Sequence, residues 1–169
     1  VKDAASFRAC FEAVQELIQK EVVLAGHDIS AGGLITTLLE MTFSHNTLGL
    51  SLDLSGIGEA DIIRLLFSEK PGVVIQVDDL DCVSIFLQEK GINYHVLGMP
   101  VAGKTINIKH LDDDYQFDIH ALRDKWFRSS YLLDRKQSGE TLAKERFDNY
   151  AVQERKFVFP GSFTGRYSQ

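Results

Sequence analysis

The stretch Leu24-Ala25-Gly26-His27-Asp28-Ile29-Ser30-Ala31-Gly32-Gly33-Leu34 decides how the rest of this chain is read. Val22 to Ala25 is a short apolar run of the kind that forms a buried strand. Leu34, Leu38 and Met41 behind the stretch, with Ile35 and Leu39 beside them, fall at helical spacing. A polar, glycine-bearing turn joining a strand to a helix is therefore expected. Gly32 and Gly33 have no Cβ to hold a ligand off the main chain, and the first turn of a helix presents unpaired N–H groups of partial positive charge. A phosphate suits such a place. His27, Asp28 and Ser30 stand at the same end, where a carboxylate can hold a hard cation and a hydroxyl can reach a phosphate oxygen. The same residues also allow a plainer reading, in which Gly-Gly is turn chemistry and Asp28 or Ser30 caps the helix.

Composition narrows the class. The chain has 169 residues, 44% hydrophobic and 25% charged, which is enough to bury a core and ordinary for a globular protein. Its net charge of −6 comes without a basic stripe, so nucleic acid is not an expected partner. No apolar run approaches membrane-spanning length and no basic-then-apolar leader opens the chain, so no membrane role and a cytoplasmic location are expected. Cys10 and Cys82 lie in segments expected to be helical, without a Cys-x-x-Cys pattern, and are read as buried, reduced thiols.

Outward from the central stretch, Asp3 to Lys20 reads as a helix with Phe7, Phe11, Val14 and Ile18 on its core-facing side. Beginning almost inside a helix without Met, the chain is expected to be part of something longer. Leu48, Leu50, Leu52 and Leu54 alternate with smaller or polar residues as in a half-buried strand. A short helix is expected over Ala60 to Phe67, ended by Pro71-Gly72, with Glu69 a solvated turn residue. Strands are expected at Val73 to Val77, Asn93 to Leu97 and Val101 to Lys109. Between the first two, Asp78 or Asp79 should cap a helix whose Leu80, Val83, Phe86 and Leu87 face the core and which Gly91 stops. His110 to Tyr115, with its Asp112-Asp113-Asp114 run, is expected to be a solvated loop rather than a metal site. Asp118 should cap a last helix to about Lys136, with Leu122, Trp126, Ser130 and Leu133 on one side and Arg123, Asp124, Arg128 and Arg135 on the other. From Gln137 on, the chain reads as a polar linker anchored by Phe157, Phe159 and Phe163. His45, His95, His110 and His120 have no partner at ligand spacing and are read as incidental. The fold class expected is α/β (α+β), a mixed β-sheet packed with helices.

His-Asp-Ile-Ser-Ala-Gly-Gly-Leu (27–34), followed by Thr36-Thr37-Leu38-Leu39-Glu40-Met41, resembles the signature of the C-terminal domain of the aminoimidazole ribonucleotide synthetase superfamily. Leu65-Leu66-Phe67-Ser68-Glu69-Lys70-Pro71-Gly72 resembles a second landmark, a Phe-Ser/Asn-Glu turn before a central strand. Within the superfamily the chain most resembles the large phosphoribosylformylglycinamidine synthases. That resemblance implies a superfamily C-terminal-like domain at 1–136 and a tail at 137–169 leading toward a glutaminase domain, with an ATP-binding domain preceding. It implies an ATP-dependent carbon–nitrogen ligase of purine biosynthesis that uses ATP, Mg²⁺, a ribonucleotide substrate and ammonia from glutamine. The chain has no glutaminase nucleophile motif and is expected to be inactive alone. Carried onto this sequence, Asp28 is a Mg²⁺ ligand, Ser30 contacts the nucleotide, Gly32 and Gly33 cradle phosphate, and His27 joins this cofactor-binding set by shaping the turn. No residue is assigned a catalytic role. The resemblance leaves open whether the nucleotide site is catalytic or structural. It also leaves open another superfamily ATP enzyme, of the aminoimidazole ribonucleotide synthetase or selenophosphate synthetase type, or a non-catalytic scaffold with the same fold.

Overall fold

The structure, a computed structural model, describes residues 3–44 and 47–150. The chain divides into two compact units, Val1–Asp124 and Lys125–Gln169. In the first, β1 (Val23–Ile29) and β3 (Gly72–Val77) pair antiparallel as a two-stranded ribbon. A second, four-stranded sheet has the order β4-β2-β5-β6, built from β2 (Leu48–Asp53), β4 (Gly98–Ala102), β5 (Thr105–His110) and β6 (Asp113–Asp118). β2 runs antiparallel to β4 and parallel to β5, and β5 and β6 form a hairpin, so the sheet is mixed, as the sequence implies. The helices are α1 (Ala4–Gln19), α2 (Gly33–Phe43), α3 (Ile62–Phe67) and α4 (Leu80–Glu89), with α5 (Ile119–Ser138) beginning in this unit.

Aspartates start four of these helices by taking up main-chain N–H groups that have no partner inside the helix. Asp3 accepts from Ser6 in α1, Asp61 from Ile63 and Arg64 in α3, Asp79 from Cys82 in α4, and Asp118 from Ala121 in α5, as expected. The leucine alternation of β2 lands as expected, with Leu50, Leu52 and Leu54 buried beside Ile106 and Ile108 of β5.

The ribbon serves two cores. At its start, Val23 pairs with Val77 but Ala25 pairs with Gln76, so β1 carries an extra residue, a bulge that switches which face its side chains occupy. Val23, Ile75 and Val77 pack with Ala13, Leu17, Val83 and Leu87 of α1 and α4. Ile29 and Val74 pack instead with the larger cluster that includes Leu34, Ile35 and Leu38 of α2 and Leu66 of α3.

Several expectations are corrected. α1 meets the ribbon through Ala13 and Leu17, and the small Ala13 lets it lie close; Phe7, Phe11 and Ile18 are consequently turned outward and exposed. In α4, Leu80 is likewise exposed, while Val83 and Leu87 are buried. No strand forms at 93–97, and the stretch 101–109 divides into β4 and β5 around Gly103 and Lys104, where the Gly103 N–H donates to the Thr47 carbonyl. The Asp run is not a loop: Leu111 and Asp112 make a tight turn, and Asp113 and Asp114 open β6. His110 is not incidental: it is buried, with Nε2 2.8 Å from the Glu59 carbonyl, and so holds the loop that leads into α3. Arg123 of α5 is buried rather than solvent-facing, and donates to the Phe43 carbonyl at the negative end of the α2 dipole. Cys82 is exposed and Cys10 half-buried; both thiols are free.

In the second unit, α5 continues to Ser138, and α6 (Glu140–Asn149) is a helix where a polar linker was expected. Asp134 accepts two hydrogen bonds from Arg146, and Tyr131 and Phe127 stack on Phe147 and Tyr150. His45, Phe157, Phe159 and Phe163 lie outside the described residues.

Candidate functional site

β1 runs on through Gly26, His27 and Asp28 to Ile29, so the turn into α2 comprises only Ser30, Ala31 and Gly32. His27 and Asp28 are thus strand residues, and successive strand side chains leave on opposite faces. Asp28 stands opposite Val73, with 72% of its side chain exposed. His27, opposite Val74, faces α2. Its Nε2 lies 3.1 Å from Glu40 Oε2, and its Nδ1 lies 2.8 Å from the Asp28 carbonyl oxygen and 3.5 Å from Asp28 Oδ1. Both ring nitrogens are therefore engaged within the protein, and the ring ties β1 to α2 instead of reaching outward.

Ser30 is exposed, and its hydroxyl and the Asp28 carboxylate are the outward-facing groups of the predicted set. Neither caps α2; the residue at the cap position is Gly32, with φ +87° and no side-chain bond. The amides expected to cradle phosphate have internal partners: Gly33 N–H donates to the Ser30 carbonyl at 3.0 Å, and Gly32 N–H donates to Glu69 Oε1 at 3.0 Å. Gly33 has a packing reason as well, since a Cβ there would lie 2.6 Å from the Leu66 carbonyl oxygen and 2.8 Å from the Phe67 carbonyl carbon.

Three more side chains finish the corner. The buried Thr37 donates from its hydroxyl to the Asp28 carbonyl at 3.0 Å, Thr36 donates to the Gly32 carbonyl at 3.1 Å, and Glu69, expected only as a solvated turn residue, reaches back from the turn before β3 to accept from Gly32. All three stand in the two landmark stretches of the sequence; what the sequence did not show was the group each one bonds. Among the described residues no group of three or more His, Cys, Asp and Glu is arranged to hold a metal. Asp28 can therefore offer a hard cation one oxygen ligand, with the remainder to come from phosphate, water or another chain segment. Mg²⁺ commonly binds in that way.

Residues 1–110 match the family described as AIR synthase related protein, C-terminal domain. The chain belongs to this family. Within the AIR synthase related proteins, it is 35% identical over 142 residues to a probable phosphoribosylformylglycinamidine synthase, chloroplastic/mitochondrial, of Arabidopsis thaliana, covering 80% of this chain and 10% of that one. The phosphoribosylformylglycinamidine synthase of Homo sapiens is 30% identical over 137 residues, covering 76% and 10%. A protein of Saimiriine herpesvirus 2 named probable membrane antigen 75 is 37% identical over 130 residues, covering 73% and 10%. The chain thus spans about a tenth of the length of these relatives. Thermotoga maritima PurL complexed with ATP superposes with a TM-score of 0.59 at 16% identity, over 68% of this chain and 21% of that one. The structure of PurLQS from Thermotoga maritima gives 0.60 at the same identity and coverage. At such identity the likeness is one of fold, and the fold is that of the family.

Proposed function

We propose that this chain is a domain of a phosphoribosylformylglycinamidine synthase, the ATP- and glutamine-dependent ligase that forms the amidine of its ribonucleotide substrate. In this reading it contributes one side of a nucleotide site. The observation that carries the reading is the exposed Asp28 carboxylate, beside the Ser30 hydroxyl, at the end of β1 in a chain 35% identical to a protein of that name. Asp28 would supply one Mg²⁺ ligand and Ser30 a hydrogen bond to the nucleotide. Mg²⁺, when bound, neutralises phosphate charge. The chain's own residues position these groups: His27, Thr37 and Glu69 hold the main chain from which they project. Gly32 and Gly33 shape the corner, and a phosphate would reach the Gly32 amide only by displacing Glu69.

A preceding ATP-binding domain completes the site, and the segment after α6 leads toward a glutaminase domain; a cytoplasmic location belongs to the same proposal. No helix among the described residues is long and apolar enough to cross a membrane. One observation favours a second reading, a scaffold that keeps the fold without turnover: a relative at 37% identity bears the name of an antigen and not of a synthase.

The deciding experiment is calorimetric titration of the full-length polypeptide that carries this chain with ATP and Mg²⁺, then with Asp28→Ala. Magnesium-dependent binding lost in the variant is the expected result. Unchanged binding in Asp28→Ala removes the nucleotide role from this corner. Synthase turnover by residues 1–169 alone would refute the shared-site reading.

A further inference from the structure

We infer that Glu69 is a positioning residue, whose carboxylate fixes the Ser30–Gly32 turn and through it the direction in which Asp28 and Ser30 are presented. The register of the ribbon prepares this contact. Ile29 stands opposite Gly72, so the residues that follow Ile29 run back past those that precede Gly72. Continued by hydrogen-bonded pairing, that ladder would pass through Pro71, which has no N–H to donate. A side chain takes over instead. Three residues before Gly72, the exposed residue Glu69 accepts the N–H of Gly32, three residues after Ile29, at 3.0 Å.

Two further observations make this bond a clamp for the turn. Gly32 and Gly33 both have left-handed backbone, at φ +87° and +73°, conformations with more freedom than ordinary residues have, so a fixed turn there needs an external tie. Next to Gly32, the main chain of Gly33 abuts Leu66 and Phe67 at the end of α3, and at the other end Thr37 pins the Asp28 carbonyl at 3.0 Å. The turn is thereby held at both ends, with Ser30 between the two ties and Asp28 at one of them. Glu69 and Asp28 together make the corner acidic, which suits a nucleotide carried with its divalent cation better than a bare anion.

The consequence for a ligand rests on the nucleotide reading above, and the test separates the two. Residues 1–169 are compared with Glu69→Ala and with Glu69→Gln, which keeps an acceptor oxygen in the same place without the charge. Amide hydrogen exchange and the ¹⁵N–¹H resonances of Gly32, Ser30 and Asp28 are recorded. The Gly32 amide is expected to exchange about tenfold faster or more in Glu69→Ala, with the Ser30 and Asp28 resonances moving, and to return most of the way in Glu69→Gln. An unprotected Gly32 amide in the parent chain, or Ser30 and Asp28 resonances unmoved in Glu69→Ala, overturns the inference. In the full-length polypeptide, Glu69→Ala is then expected to weaken Mg²⁺–ATP binding by about tenfold and Glu69→Gln to restore it. Released amides with unchanged affinity overturn the positioning role, whereas absence of binding in the parent polypeptide sinks only the nucleotide reading.

Discussion

Gly32 and Gly33 look alike in the sequence and differ in what replaces them. At Gly33, φ is +73° and a Cβ would meet main-chain atoms of Leu66 and Phe67 at 2.6 to 2.9 Å, contacts that no rotamer change relieves. Gly33→Ala is expected to destabilise the chain by about 2–4 kcal/mol, the sum of a left-handed penalty and a forced backbone shift. At Gly32 the obstacle is one side chain, Thr36, whose hydroxyl oxygen stands closest and can rotate away while its Cβ at 3.0 Å needs only a small shift. Gly32→Ala should cost roughly 1–2 kcal/mol, the left-handed penalty with loss of the Thr36 bond. Urea denaturation of both variants checks the ranking, and equal losses would contradict the packing account. The glycines thus have a structural reason that spacing alone did not reveal. Asp28 and Ser30 were legible as outward polar groups because type and place suffice to find them. That His27 faces the other way, toward Glu40, depends on how far β1 extends, and the apolar run reading ended that strand at Ala25.

Among the elements, strands with a clean period and the buried face of α2 were legible, whereas the faces of α1 and α5 were not. β2 shows its inward leucines directly, because alternation has only two faces to choose from. α1 has apolar residues on more than one side, and the partner surface, not the pattern, selected Ala13 and Leu17 over Phe7 and Phe11. α6 was missed because its polar sequence has one buried residue, Ala143, and its attachment to α5 is made by charges and rings. Those charges predict an acid response. The Asp134 carboxyl is held below its ordinary range by hydrogen bonds first from Arg146 and then from Ser138, and Glu140 is lowered chiefly by the Tyr131 hydroxyl. A carboxylate depressed in the folded state stabilises above its unfolded value and loses that contribution as pH falls through its folded value. Docking of α6 on α5 should therefore hold at neutral pH and loosen below about pH 4. Trp126, the single tryptophan, reports it by fluorescence, being 4.9 Å from the Phe127 ring that stacks on Tyr150. Asp134→Asn should weaken docking at neutral pH and flatten the acid response; an unaltered acid transition in that variant would assign the effect elsewhere.

For the first unit as a whole, the question is whether its two hydrophobic clusters unfold together. They share no buried side chain: Leu17 and Val83 belong to one, Leu38 and Ile106 to the other. They do share the β1–β3 ribbon, whose alternate residues feed both, Val74 into the larger cluster and Ile75 and Val77 into the smaller. Removing α1 and α4 from the ribbon bares one face of strands whose other face covers α2, so opening the smaller cluster exposes apolar residues of the very strands that the larger one uses. Leu17→Ala should cost about 2–5 kcal/mol, as truncation of a buried leucine usually does. If the ribbon couples the clusters, that loss reaches the slowest-exchanging amides of α2 as fully as those of α4, although Leu17 lies in the cluster to which α2 does not belong. Ile106→Ala, made from the opposite side, should lower protection in α4 by the same reasoning. Hydrogen exchange measured amide by amide in both variants distinguishes this from two independent cores, in which each substitution would weaken only its own helices.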